Sequence, residues 1–145
     1  MRIGRVLVCA GVAATMFAGT LVVATPAYAA SSCNGTVSRQ SQQNSSHFGS
    51  IPAVNGSINC VLGVGNQGNA VRSLQFTLNR CFNAGLLTDG VFGNQTKAAL
   101  QAAQRTVGTN DDGVYGPLTR NAFNAHRRWR TADDLGRTFC ESVFL

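Results

Sequence analysis

The octet Asp89-Gly90-Val91-Phe92-Gly93-Asn94-Gln95-Thr96 returns 23 residues later as Asp112-Gly113-Val114-Tyr115-Gly116-Pro117-Leu118-Thr119, keeping Asp, Gly, Val, an aromatic ring, Gly and Thr in order. The match runs on, with Thr96-Lys97-Ala98-Ala99-Leu100-Gln101-Ala102 aligning with Thr119-Arg120-Asn121-Ala122-Phe123-Asn124-Ala125. A loop-plus-helix unit used twice must find equivalent surroundings twice. Two copies fall short of the three or more that a solenoid needs, so the expectation is one small domain with internal pseudo-symmetry.

Each octet has the chemistry of a turn that feeds a helix. Asp89 and Asp112 can accept a hydrogen bond from the backbone two residues on, and Gly90 and Gly113 can take the positive φ of a tight turn. Gly93 or Asn94 caps the first of these helices; Gly116 caps the second, with Pro117 at its first position, where a missing N–H costs nothing. Phe92 and Tyr115 fold back as wedges. Apolar spacing predicts three helices. The first runs from about Ala70 to Arg80, with Asn69 as cap and Val71, Leu74, Leu78 and Cys81 on one face. The second runs from about Gln95 to Thr106, turning Ala99, Leu100, Ala103 and Val107 inward and stopping at Gly108. The third runs from Pro117 to about Trp129, burying Leu118, Ala122, Ala125 and Trp129.

Residues 1–29 do not share this pattern. Arg2 and Arg5 precede the apolar run Val6–Ala24, and Ala27-Tyr28-Ala29 fits a cleavage site, so a secretory signal peptide is expected rather than a membrane anchor. Cleavage after Ala29 leaves 116 residues and four cysteines, Cys33, Cys60, Cys81 and Cys140, an even number that in an exported protein reads as two disulfides. Three pairings are open; the arrangement leans to Cys33–Cys60, which ties down an arm, and Cys81–Cys140, which staples the tail to the first helix. No cysteines lie close enough in sequence for a zinc site, and no other metal or cofactor is expected. Calcium at Asp111-Asp112-Gly113 lacks further graded oxygen ligands.

Ser, Gln, Asn and Gly dominate Ser31–Asn59, a composition that reads as loop, so residues 30–60 are expected to form a polar arm. Residues 131–145 form a tail with no assignable structure. The cleaved chain carries ten basic against six acidic side chains, a net charge of +4. Arg127-Arg128-Trp129-Arg130 concentrates part of it: one reading is a solvated helix end with Trp129 packed inward, the other a contact for anionic wall polymers or membrane surfaces rather than nucleic acid in an exported protein.

Taken together, Gly65, Gly68, Val71, Leu74-Gln75, Leu78, the two Asp-Gly octets, Ala99, Gln104 and Gly108 resemble the peptidoglycan-binding domain 1 family over about Val61–Ala125. The resemblance implies a mainly α, compact three-helix domain, here spanning residues 61–130, that binds cell-wall peptidoglycan without covalent chemistry. Family members usually accompany wall hydrolases. The leader and extra cysteines look like a secreted, stand-alone form of actinobacterial type, associated with the cell wall and without a stable membrane anchor. Two departures stand out: Ala103 occupies a position that often carries Phe, and Cys81-Phe82 replaces a Gly-aromatic helix end.

A receptor for acetamido sugars and peptide carboxylates needs an aromatic face, amides or hydroxyls, and a base. Arg72, Gln75, Phe92, Thr96, Tyr115, Thr119 and Arg120 supply those types near the two loops, although the threonines could equally cap helices and the rings could be core. Asp89, Gly90, Gly93, Asp112, Gly113 and Gly116 read as turn residues. No nucleophile–base pair, paired carboxylates or Gly-x-Ser-x-Gly elbow is evident, so catalysis is not expected. Peptidoglycan is the expected partner, with anionic wall polymers or a cell-wall hydrolase as further partners. The competing reading is a secreted interaction or inhibitor protein that uses the same fold on a protein partner.

Overall fold

The computed structural model describes residues 30–145; the expected leader, residues 1–29, lies outside them. Three helices form as the apolar spacing requires: α1 (Asn69–Phe82), α2 (Asn94–Thr106) and α3 (Pro117–Ala125). In α1 the buried positions Val71, Leu74, Leu78 and Cys81 fall on one face. Gly68, at φ 108°, caps it in place of the expected Asn69, which is its first residue, and Asn83 ends it in the left-handed region with its N–H on the Leu78 carbonyl. Gly93 and Gly116 are the N-caps of α2 and α3, and Pro117 opens α3.

Both later helices close with the same pair of bonds. After α2, Gly108 N–H donates to the Arg105 carbonyl and Thr109 N–H to Gln104. After α3, Arg127 N–H donates to Asn124 and Arg128 N–H to Phe123. This is the Schellman arrangement, and in α3 it puts Arg127, a non-glycine, at φ 54°. The third helix therefore stops at Ala125, four residues short of the expected Trp129. Its burial also differs: Leu118 is 74% exposed and Ala125 is exposed, because the inward face belongs to Thr119, Arg120 and Phe123.

The fold is not mainly helical, which corrects the expectation from sequence. A four-stranded antiparallel sheet stands beside the helices, in the order β1 (Gly35–Gln40), β2 (Phe48–Ala53), β3 (Trp129–Ala132), β4 (Thr138–Glu141). The polar arm is a hairpin rather than a loop, with Val37 opposite Ile51. The tail is a second hairpin, with Arg130 opposite Cys140, and the two meet where Gly49 faces Thr131. Gly49 has no room for a side chain, since a Cβ there would stand 3.1 Å from the Arg130 carbonyl oxygen.

One core joins helices and sheet. Ile51 of the arm, Leu62, Leu74, Leu78, Leu100, Phe123, Trp129 and Val143 of the tail are all 0% exposed. Trp129 packs edge-on to Tyr115 and Phe123, at 6.1 and 5.8 Å between centroids. Disulfides Cys33–Cys60 and Cys81–Cys140 fix both added segments to the helical unit. Closing loops of 27 and 59 residues, they stabilise the fold by about 3.5 and about 4 kcal/mol on chain-entropy grounds. Among the described residues no helix is long and apolar enough to cross a membrane.

Candidate functional site

The repeat is built around two buried glutamines. Gln75 on α1 donates from Nε2 to the Asp89 carboxylate (2.9 Å), the Val91 carbonyl (3.1 Å) and Thr96 Oγ1 (3.3 Å), while its Oε1 accepts from Gly90 N–H (2.9 Å). Gln104 on α2 repeats the pattern: Nε2 donates to Asp112, the Val114 carbonyl and Thr119 Oγ1, each at 3.0 Å, and Oε1 accepts from Gly113 N–H at 2.9 Å. Each helix thus holds the loop that follows it. Asp89 and Asp112 also accept from the N–H two residues on, Val91 and Val114, at 2.9 and 2.8 Å. The Val91 N–H and the Gln75 amide hold the Asp89 carboxyl below the usual carboxylate range. Gly90 and Gly113 take φ 78° and 71°; a Cβ on Gly113 would lie 2.6 Å from Lys97 Cγ.

These contacts decide where the expected binding residues lie. Phe92 and Tyr115 are 1% and 0% exposed, so both rings are wedges in the core and neither offers a face for stacking. Gln75, Thr96 and Thr119 are buried in the loop networks just described. Arg120, 7% exposed, donates to the Ile58 carbonyl (2.7 Å) and Asn59 Oδ1 (3.1 Å) and fastens the segment before Cys60. Arg72 alone of the seven is exposed, with a 3.3 Å bond to the Asp89 carbonyl. In this conformation six of the seven form a framework. The loops do not pair with each other either: Val91 bridges to Gln67 and Tyr115 to Leu62.

The accessible surface lies along α2. A depression of about 210 Å³ opens at its N-terminal end, lined by Leu87, Asp89, Val91 and Asn94. Through Leu86 and Gln95 it meets a groove of about 510 Å³ between residues 82–86 and Ala98, Ala99 and Ala102 of α2. Phe82, Asn83 and Thr106 lead on to a third hollow of about 320 Å³, flanked by Arg80 and Arg128. Together they form one trough following the helix, about 20 Å long at 1.5 Å per residue. Its floor is wide at the middle of α2, where Ala98, Ala99, Ala102 and Ala103 line it. A smaller hollow of about 130 Å³ at the second loop is the image of the first, lined by Asp112, Val114, Gly116, Pro117, Leu118 and Thr119, each 23 positions on.

The model of the family described as "Putative peptidoglycan binding domain" matches residues 67–123, which hold α1, both loops, α2 and most of α3. Residues 67–123 belong to this family. The peptidoglycan-binding-type domain therefore contains both glutamine networks and nearly all of the trough, whereas the sheet lies outside it. Among solved structures the chain is similar to the SleB N-terminal domain, at 35% identity over 43% of this chain and 86% of that one, with a TM-score of 0.42. It is also similar to a peptidoglycan-binding protein from Clostridioides difficile in complex with glutamine hydroxamate, at 23% identity over 59% of this chain and 54% of that one, with a TM-score of 0.45. No curated protein matches the chain.

Sequence reasoning did not single out Asn83, Gln95, Thr106 or Arg80, nor the pairing of Gln104 with Gln75, and it named Arg128 only within the basic run 127–130. The glutamines precede their aspartates by 14 and 8 residues, which hides them beneath the 23-residue period. The run of alanines in α2 was the available signal for the trough.

Proposed function

We propose that this protein binds bacterial cell-wall peptidoglycan, without cleaving it, in the trough along α2. The observation that carries the reading is that the family match covers the residues building this trough. Its chemistry suits the polymer. Asn83 and Gln95 offer amides to acetamido groups and peptide bonds, and the alanine floor and Phe82 offer apolar surface. At one end stand Arg80 and Arg128, neither with a carboxylate within 4.0 Å among the described residues, available to carboxylates of the peptide stems.

The trough holds one carboxylate, Asp89, and it is kept ionised by donors from Val91 and Gln75. A single engaged carboxylate does not supply the acid and base pair of glycoside cleavage. The hydrogen-bonded His47 and Glu141 sit where the two hairpins meet and do not line the trough. Two disulfides suit an oxidising compartment, and with the leader-like residues 1–29 they support secretion and residence at the cell wall.

Co-sedimentation with purified insoluble peptidoglycan tests this reading. The protein is expected in the pellet with no soluble fragments released. A protein that stays in the supernatant, or that liberates fragments, contradicts it.

A further inference from the structure

A separate hollow of about 210 Å³ lies where the sheet meets α1, lined by Thr36 of β1, Ser50 of β2, Arg130 of β3, and Asn69, Arg72 and Phe76 of α1. Its lining residues Thr36, Ser50 and Arg130 come from outside residues 67–123, so it exists only because the two hairpins pack on the family domain. None of its lining residues is acidic. The Arg130 guanidinium sits 5.1 Å from the centre of the Phe76 ring, which is 39% exposed. Burial and the neighbouring charge of Arg80 hold Arg130 below the usual arginine range. Arg130 is thus partly desolvated, with the exposed Arg80 and Arg72 as its cationic neighbours. Among the described residues the carboxylates within 4.0 Å of a basic side chain are Glu141 beside His47, Asp111 beside Arg105 and Asp133 beside Arg137, none of them beside Arg72, Arg80 or Arg130. The nearest compensation is the Asp89 charge, felt weakly through Arg72.

A partly buried cation without a carboxylate partner, as Arg130 is, gains from an anion supplied from outside. We propose that this hollow is a second binding site, taking an oxyanion, phosphate or carboxylate, carried on a hydroxylated chain. Arg72 and Arg130 meet the oxyanion, as guanidinium forks do. Thr36, Ser50 and Asn69 meet hydroxyls, and Phe76 covers the carbon face of the sugar or polyol. The hollow shares no lining residue with the trough.

Calorimetric titration of the intact protein with inorganic phosphate, poly(glycerol phosphate) and polygalacturonate tests the site. Saturable binding of either polymer is expected, and which of them binds says whether the oxyanion is a phosphodiester or a carboxylate. Arg130→Gln and Arg72→Gln are each expected to weaken binding about tenfold, the loss of a charge-assisted hydrogen bond. Arg127→Gln removes the same charge elsewhere and is expected to weaken it less than about twofold. Arg72 is exposed on α1, so its variant remains informative should Arg130→Gln fail to fold. The proposal is overturned if neither polymer binds, if inorganic phosphate alone binds, or if Arg127→Gln costs as much as Arg72→Gln.

Discussion

The Nδ1 nitrogen of His47 lies 3.0 Å from Oε1 of Glu141, joining the turn before β2 in the N-terminal hairpin to β4 in the C-terminal one. Thr131 Oγ1 donates to the other carboxylate oxygen at 2.6 Å, and the Phe139 ring stacks on the imidazole at 4.2 Å. Burial raises the Glu141 pKa, but bonds from Thr131, Ser41 and His47 outweigh it and leave the carboxyl below its ordinary value. A depressed carboxylate contributes stability that is present above its unfolded pKa, about 4.3, and is lost as pH falls through the lower folded value. Thermal melts from pH 7 downward should therefore show an acid limb that Glu141→Gln flattens. An unchanged limb in the variant would place the acid sensitivity elsewhere.

Gln75 and Gln104 make the same bonds to equivalent loops, so their losses should match. Gln75→Ala and Gln104→Ala each strand a buried glycine N–H and release an Asp and a Thr, at a cost of about 2–4 kcal/mol. Urea unfolding of the two variants measures it. Costs differing by more than about 2 kcal/mol, beyond the usual spread of such measurements, would show that the two networks are not energetically equivalent.

Among the described residues the buried Tyr115 hydroxyl has no hydrogen-bond partner, and neither has the indole N–H of Trp129, whose ring packs edge-on to that of Tyr115. Burial accordingly pushes the Tyr115 pKa up. Removing an unsatisfied hydroxyl while keeping the ring is expected to be neutral or to stabilise by about 1 kcal/mol, so Tyr115→Phe should melt no lower than the native protein. Tyr115→Ala should cost about 3–5 kcal/mol, as for other large buried rings. A Phe variant that melts clearly lower would reveal a partner for the hydroxyl.

Arg127 holds a left-handed conformation at the end of α3. Glycine adopts it without the Cβ penalty, so Arg127→Gly should stabilise by about 1 kcal/mol. Denaturant midpoints decide it, and a lower midpoint would mean that the Arg127 side chain contributes more than its strain costs.

Much of this fold was legible where residue type dictates local geometry. The doubled Asp-Gly turn, the apolar faces of α1 and α2 and the wedge role open to Phe92 and Tyr115 follow from the residues themselves. The sheet was not legible, because Thr36, Ser38 and Gln40 present a polar edge whose value lies in backbone pairing, and β2 finds its second partner in β3, some eighty residues on. The end of α3 was missed because nothing in the type of Arg127 announces a positive φ. For the site, residue type alone does not give direction. Phe92 and Tyr115 point into the core, while the exposed amides of Asn83 and Gln95 on the trough carry no sequence signature.

The trough along α2 is tested most directly by adding a soluble disaccharide-peptide fragment of peptidoglycan to the isotope-labelled protein and following backbone amide shifts. The account predicts saturable changes clustered at Asn83, Leu86, Gln95 and Thr106, abolished by Ala102→Trp, which fills the trough from an exposed position. Changes confined to the second loop around Val114–Leu118, or none at all, would contradict it.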